Sequence, residues 1–342
     1  MRLAVFKKKA GDKFDKYGEL LHLYRPFGFI EKSKVQVSNL KLEKSKYQAR
    51  CMPDVSLIFS SSAEGVLLYE AGQVTRIGPK TGAYGIVKYE GYWYCFFKSG
   101  RTGGIYKFKI EKGKAIDFNC IYYGLSRGVH QLEVFEGKLY VTDTYNNRII
   151  VLPDFAIATS RFWKSDNHSE FYPCGKLGRA GRNSLNYKHV NSIFFEGGVV
   201  WLIAHNETTK TGVPSELLKC NVEDFTVIES TSLNGSNCHN IYISKERDLF
   251  CASMEGKVVS FRNDSVIDSC SGLTRGLSVA KDLIVYGVSP IERNRSQRGL
   301  GALCLKVLDS KSGGNVGELD VYAGQVHEIR RVDTLDFAMG LS

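Results

Sequence analysis

No apolar run in this 342-residue chain approaches the ~18 residues a membrane helix needs, and no charged-then-apolar leader opens it. It therefore reads as a cytoplasmic protein with neither a membrane span nor a secretory signal. A disulfide framework is also missing: the nine cysteines are odd in number and form no CxxC pair. Most lie inside apolar strand patterns (Cys95, Cys220, Cys251, Cys304), which suits buried free thiols in a reducing compartment. There is no P-loop, GxSxG elbow, HExxH, EF-hand loop or dinucleotide fingerprint, so the enzyme classes built on those motifs are not indicated. Gly103-Gly104 and Gly313-Gly314 read as hairpin turns instead.

Charge of one sign is scarce outside the N-terminus. Residues 1–50 hold 13 Lys/Arg against 5 Asp/Glu, a net of +8, so of the total +10 only +2 belongs to everything that follows. The leader, with Lys7-Lys8-Lys9 and Lys41–Lys46, is a solvated flank or a contact for nucleic acid or another anionic surface. Short apolar stretches within it would dock on the outside of the body or form a small cap.

What the chain has in abundance is alternation. From Gly128 to Pro153 (GVHQLEVFEGKLYVTDTYNNRIIVLP) the pairs Leu132/Val134, Leu139/Val141 and Ile149/Val151 repeat with period two, and Glu136-Gly137 and Tyr145-Asn146-Asn147 fall where turns are needed. Three short antiparallel strands follow one another without a helix. The same template recurs from Ser56 onward, which is the signature of a radial repeat. Inner strands are expected near Tyr84, His130, Asn191, His239 and Arg275, and Val326–Val332 supplies a sixth by pairing beside Ser56–Ser61. The fold class is thus all-β, a six-bladed β-propeller over residues 51–342 closed by its C-terminal strand, with a basic extension at 1–50. Seven blades follow if Gln48–Met52 is an independent inner strand and Phe337–Leu341 belongs to another blade.

In a propeller the first strand of each blade lines the central channel, so equivalent positions form a ring. Aligning the copies on Ile86, Leu132, Ile193, Ile241, Leu277 and Ile329 puts Tyr84, His130, Asn191, His239, Arg275 and His327 at that ring. All six are polar, and three of the seven histidines fall there on alternate blades. Three imidazoles at ~120° can hold one divalent ion, zinc or similar, with a position open for water or substrate. They can equally be separate channel-lining side chains that satisfy turn carbonyls and channel waters.

The run Val141–Val151 (VTDTYNNRIIV) resembles an NHL repeat, the unit of a family of six-bladed propellers. Gly175–Asn191 (GKLGRAGRNSLNYKHVN) resembles the glycine-rich linker before such units. By position the hub is similar to that of peptidylglycine amidating lyase, whose propeller binds a pore metal through three histidines with a tyrosine and an arginine acting on substrate. The resemblance implies metal ligands at His130, His239 and His327 and catalytic roles for Tyr84 and Arg275. The chain departs from that enzyme in having no secretory leader and no paired cysteines, so the substrate does not carry over.

Long connections at Arg161–Lys188, His205–Pro214 and Val288–Leu300 are expected on the face where the inner strands begin. They would bring Lys176, Arg179, Arg182, His205, Lys210, Arg293, Arg295 and Arg298 to the rim, with Trp163 and Tyr172 for stacking. Of these, Arg293, Arg295, Arg298, His205 and Trp163 are the candidate substrate-binding residues, and Tyr84, Arg275 and Asn191 the candidate catalytic ones. Two functions fit. One is a monomeric enzyme acting on an anionic small molecule or saccharide (carboxylate, uronic sugar or phosphate) as a metal-assisted lyase, epimerase or hydrolase. The other is a non-catalytic scaffold that binds RNA or protein through the rim and the leader.

Overall fold

The computed structural model describes residues 39–332 apart from 166, 185 and 293–296. The expectations for residues 1–38, and for Arg293, Arg295 and Phe337–Leu341, lie outside the described residues. So does the side chain of Arg298.

The strands form six sheets arranged in a ring, a six-bladed β-propeller. Two-residue hairpins build much of it. Ala71-Gly72, Glu90-Gly91, Lys112-Gly113, Glu136-Gly137 and Gly197-Gly198 each place two residues at positive φ between paired strands, the turn whose twist matches that of the strands it joins. Blade I is Val326–Arg331, Leu57–Ser61, Gly65–Glu70 and Gln73–Ile77, written from the channel outward. Blade II is Ala83–Tyr89, Tyr92–Ser99, Thr102–Glu111 and Lys114–Ser126; blade III is Val129–Phe135, Lys138–Asp143, Arg148–Leu152 and Ser169–Phe171. Blades IV, V and VI begin with Val190–Glu196, His239–Ile243 and Leu273–Val279.

The ring closes as the sequence predicts. Ile329 pairs with Phe59 and Arg331 with Leu57, so the last described strand is the inner strand of the first blade. Gln48 does not start a seventh blade: Tyr47–Arg50 pairs antiparallel with Asn315–Val321 at the outer edge of blade VI. Its period-2 pattern is that of any edge strand, and position in the sheet cannot be read from it. Leu40–Lys41 covers the outer edge of blade I in the same way. The 161–188 connection also differs from expectation. Arg161–Phe162 pairs in parallel with the outer strand of blade II, and Ser169–Phe171 is the fourth strand of blade III.

The core lies between neighbouring blades. Leu132, Val134 and Val141 of blade III, for example, are buried against Tyr94, Phe96 and Ile105 of blade II. All six alignment positions, Ile86, Leu132, Ile193, Ile241, Leu277 and Ile329, are buried. Cys95, Cys220 and Cys251 are buried free thiols and Cys304 is half-buried. Among the described residues no helix is long and apolar enough to cross a membrane.

Candidate functional site at the propeller hub

Every inner strand carries a β-bulge at one place. The pairing register shifts between Tyr84 and Ile86, Val129 and Leu132, Val190 and Ser192, His239 and Ile241, Arg275 and Leu277, and Val326 and Glu328. A bulge sets two residues against one and re-aims their side chains. Both the ring residue and its successor are therefore available to the channel. The cavity there is lined by Tyr84, His130, Asn191, His239, Arg275 and His327 together with the successors Gln131, Ser192, Asn240 and Glu328. The enclosed space is about 10 Å3, close to the minimum that holds one water. A ligand could insert one oxygen-sized group there while its body stays in the mouth.

The successor layer fixes the ring. Asn240 donates through Nδ2 to Glu328 Oε2 (3.2 Å) and accepts the Gly276 N–H on Oδ1 (2.7 Å), while Ser192 Oγ accepts the Asn240 N–H (2.9 Å). Gln131 Oε1 accepts the Ile193 N–H at 3.0 Å. Each bond joins adjacent blades or, for Asn240 and Glu328, blades two apart, so the channel wall is stitched by side chains from one layer. Behind it, Arg330 reaches Glu133 (3.2 Å) and Glu328 (3.4 Å). Burial nevertheless pushes the Glu328 carboxyl up to about 7, because Arg330 only partly offsets it and Glu133 adds repulsion.

The ring itself divides into two halves. On blades III to V stand four of the five hub imidazoles, all but His327. His130 and His239 have ring centroids 6.4 Å apart. His205 lies 5.2 Å from His239 and stacks on His189 with centroids 3.8 Å apart and planes 5° from parallel. His130 hydrogen-bonds through Nδ1 to the Gly128 carbonyl (2.9 Å) and His239 through Nδ1 to the Asn237 carbonyl (2.7 Å). A carbonyl only accepts, so both rings carry their proton on Nδ1 and present Nε2 as a lone pair. His239 Nε2 is buried with no hydrogen-bond partner. His205 is the opposite tautomer, since its Nδ1 accepts the Glu207 N–H at 2.8 Å.

On blades VI, I and II stand Arg275, His327 and Tyr84. His327 lies flat on Tyr84, centroids 3.9 Å apart and planes 19° from parallel, and the Lys98 ammonium sits 3.8 Å from the centroid of the Tyr84 ring. Burial lowers the His130 pKa to about 3, with Lys98 and Arg275 pushing the same way. Burial also holds His205 and His239 well below the usual imidazole range, aided for His205 by His189 and Arg275 and for His239 by Arg275 and His205. Lys98 is itself lowered to about 8, by burial and then by repulsion from Arg127 and Arg275. The hub thus sets neutral imidazoles against two mutually repelling cations.

The structure brings together all six ring residues read from the sequence. Asn191 has both ends of its amide engaged, Nδ2 donating to the Cys238 carbonyl (2.9 Å) and Oδ1 accepting from Ser192 Oγ (2.8 Å); it ties blade IV to blade V. His205 belongs to the hub rather than the rim. Trp163 belongs to neither: it is 2% exposed, packed in the core between blades II and III. Its indole donates to the Gly124 carbonyl at 2.8 Å, and Arg148, paired with buried Asp143 at 2.7 Å, lies 4.8 Å from its ring centroid. Among the described residues, no three His, Cys, Asp or Glu side chains are grouped as a metal-holding set.

Lys98 and His189 escaped the sequence reading. Lys98 N–H bonds the Gly82 carbonyl, Thr144 N–H the Gly128 carbonyl and His205 N–H the His189 carbonyl, so Lys98, Thr144 and His205 are equivalent residues at the channel-mouth end of successive second strands. A second ring drawn through that position would have found Lys98 and His205. His189 adopts φ +53° immediately before its inner strand, where no repeat position identifies it.

No protein-family model matches the chain, and comparison with curated proteins gives no match. Solved structures do resemble it. A chain of the nidogen–laminin complex superposes with a TM-score of 0.53 at 8% identity, over 81% of this chain and 98% of that one. A protein from Lactobacillus plantarum gives 0.50 at 9% identity, over 82% of this chain and 99% of that one. At such identities the likeness shows the propeller fold alone.

Proposed function

We propose that the protein is a propeller enzyme that acts at the channel mouth on a small anionic substrate, a carboxylate, uronic sugar or phosphate, by proton transfer to and from the hub imidazoles. The observation that carries this reading is the division of the hub into a cationic half and a neutral histidine half. Arg275 would hold the anionic group. His239, with Nδ1 pinned by Asn237 and an unpartnered Nε2, would accept the proton. In the free protein burial, with Arg275 and the neighbouring imidazoles, keeps His239 a weak base. A bound anion would offset that field and raise the histidine pKa toward a useful range, coupling base strength to occupancy. Elimination, epimerisation beside a carboxylate and hydrolysis all need this pairing of anion clamp and base. The likeness of residues 141–151 to an NHL repeat, and of the hub to amidating lyase, supports the same class.

One observation favours a metal-assisted form. His130 and His239 each donate Nδ1–H to the carbonyl two residues earlier, as metal-bound imidazoles do through their second nitrogen. A divalent ion held by their Nε2 atoms would act as Lewis acid toward a substrate oxygen, with water completing its shell.

The test is turnover of a panel of sugar acids, hydroxy acids and phosphate esters, followed by NMR, with metal analysis of the same sample. Turnover abolished by His239→Gln with the fold intact supports the reading, and stoichiometric metal lost in that variant selects the metal-assisted form. Turnover that His239→Gln leaves unchanged would remove the hub as its site.

A further inference from the structure

The connection that leads from the outer strand of blade III to the inner strand of blade IV is pinned to blade III by side chains. Asn147, buried and at φ +58°, donates through Nδ2 to the Asn186 carbonyl (3.1 Å) and accepts the Lys188 N–H on Oδ1 (3.2 Å). Thr144 Oγ1 donates to the Val190 carbonyl at 2.8 Å. Arg182, exposed in the same connection, lays its guanidinium over the Tyr145 ring, 4.1 Å from the centroid. Tyr145 follows Thr144 at the channel-mouth end of its strand and packs directly on Gly128, where a Cβ would come within 2.3 Å of Tyr145 Cγ. The Gly128 carbonyl is the one that holds His130 Nδ1. A second route leads to the same place: burial and then Glu207 raise the Tyr187 phenol pKa, and Arg182 opposes them. The Tyr187 hydroxyl bonds His189 Nδ1 at 3.0 Å, and His189 meets His130 edge-on with centroids 5.3 Å apart. Arg182 therefore stands beside the histidine half of the hub. Among the described residues no carboxylate pairs with it, whereas exposed Arg262 pairs with Asp248 at 2.8 Å and Arg76 with Glu64 at 2.7 Å. Glu207 is taken by Lys210 at 2.8 Å.

We infer that Arg182 is a second anion-binding point at the channel mouth, so that the substrate class is a small compound with an anionic group at each end, one at the hub and one on Arg182. The inference rests on the anionic-substrate reading above and adds a specificity-determining residue to it. Stacking on Tyr145 covers one face of the guanidinium and leaves its edge, which carries the N–H donors, open to a bidentate carboxylate or phosphate. It also restricts the side chain before the ligand arrives, so less rotamer freedom is lost on binding. A ligand held at both ends would have its middle beside the imidazoles of blades III to V.

Calorimetry on the full chain at neutral pH and fixed ionic strength tests this, with acetate and the straight-chain dicarboxylates from malonate to pimelate as probes. In the wild type one chain length should bind at least tenfold more tightly than acetate, because only a matching span engages both points at once. Arg182→Gln should cut that advantage to less than threefold, and Arg182→Lys should keep part of it. Arg182 is exposed, so both variants should melt with the wild type. An advantage that survives Arg182→Gln overturns the inference, as does a wild type that binds acetate and every dicarboxylate alike; either result leaves the anionic hub standing. A wild type that binds none of the probes overturns the hub reading and this inference together.

Discussion

Tyr84 and His327 stack face to face at 3.9 Å, although 243 positions separate them in the chain, because His327 lies on the strand that closes the ring beside Leu57–Ser61. The hub is therefore complete only when the two ends of the propeller meet. Val326 and Ile329 of that strand are fully buried with Leu57 and Phe59, and Arg330 bonds the Ile86 carbonyl at 3.0 Å.

Removing residues 327–342 should unfold the whole propeller rather than trim a tail. The truncation uncovers the Leu57–Ser61 edge and opens two blade interfaces at once. Circular dichroism should show loss of the cooperative melt. A truncated protein melting within a few degrees of the full chain would contradict the closure.

Trp163→Ala should cost about 3–5 kcal/mol of stability, the usual range for truncating a buried Trp, and leave anion affinity per folded molecule unchanged. Denaturant unfolding and calorimetry on the same sample check it. A variant of normal stability with weakened binding would return Trp163 to the rim.

Gly85→Ala should destabilise the fold by more than the ~1–3 kcal/mol of a strained backbone alone. Gly85 has φ +51°, and a Cβ there would lie 2.6 Å from the Leu132 amide nitrogen on the neighbouring inner strand. A melting temperature equal to wild type would show that the inner strands do not approach as described.

Acid should weaken the fold well above the pH at which ordinary carboxylates titrate. His130, His205 and His239 have folded pKa values below the ordinary imidazole value of 6.5. The stability they contribute is full above 6.5 and is lost as pH falls below it, because the unfolded chain takes up protons the native state refuses. Glu328, raised to about 7, has the opposite sign: its contribution is full below the ordinary glutamate value of 4.5 and fades as pH rises through 7. Between pH 6.5 and 4.5 unfolding should therefore take up protons net, the three histidines outweighing the raised Glu328 and Glu133 carboxyls. Urea midpoints that stay level or rise on acidification through this window would contradict the buried neutral histidines.

The period-2 pattern made the blades legible, since alternation along a strand and spacing between strands are local properties, and Ile86, Leu132 and their four counterparts sufficed to place the ring. Edge strands were not legible: Tyr47–Arg50 and Arg161–Phe162 are positioned by what they pair with, across 268 residues in the case of Arg50 and Glu318. Lys98 and His205 were missed at the hub because the ring was drawn through one strand per blade, whereas the channel mouth also collects the ends of the second strands. Trp163 misled because an aromatic in a long loop looks the same in sequence whether it covers the core or faces solvent.

The most direct test of the hub as an anion site among neutral imidazoles is a 15N-histidine NMR titration of the full chain, with and without saturating sulfate. His130 and His239 should be neutral Nδ1–H tautomers at pH 6 in the free protein, and their pKa values should move upward when sulfate binds. Imidazoles that titrate near 6.5 and ignore sulfate would contradict the account.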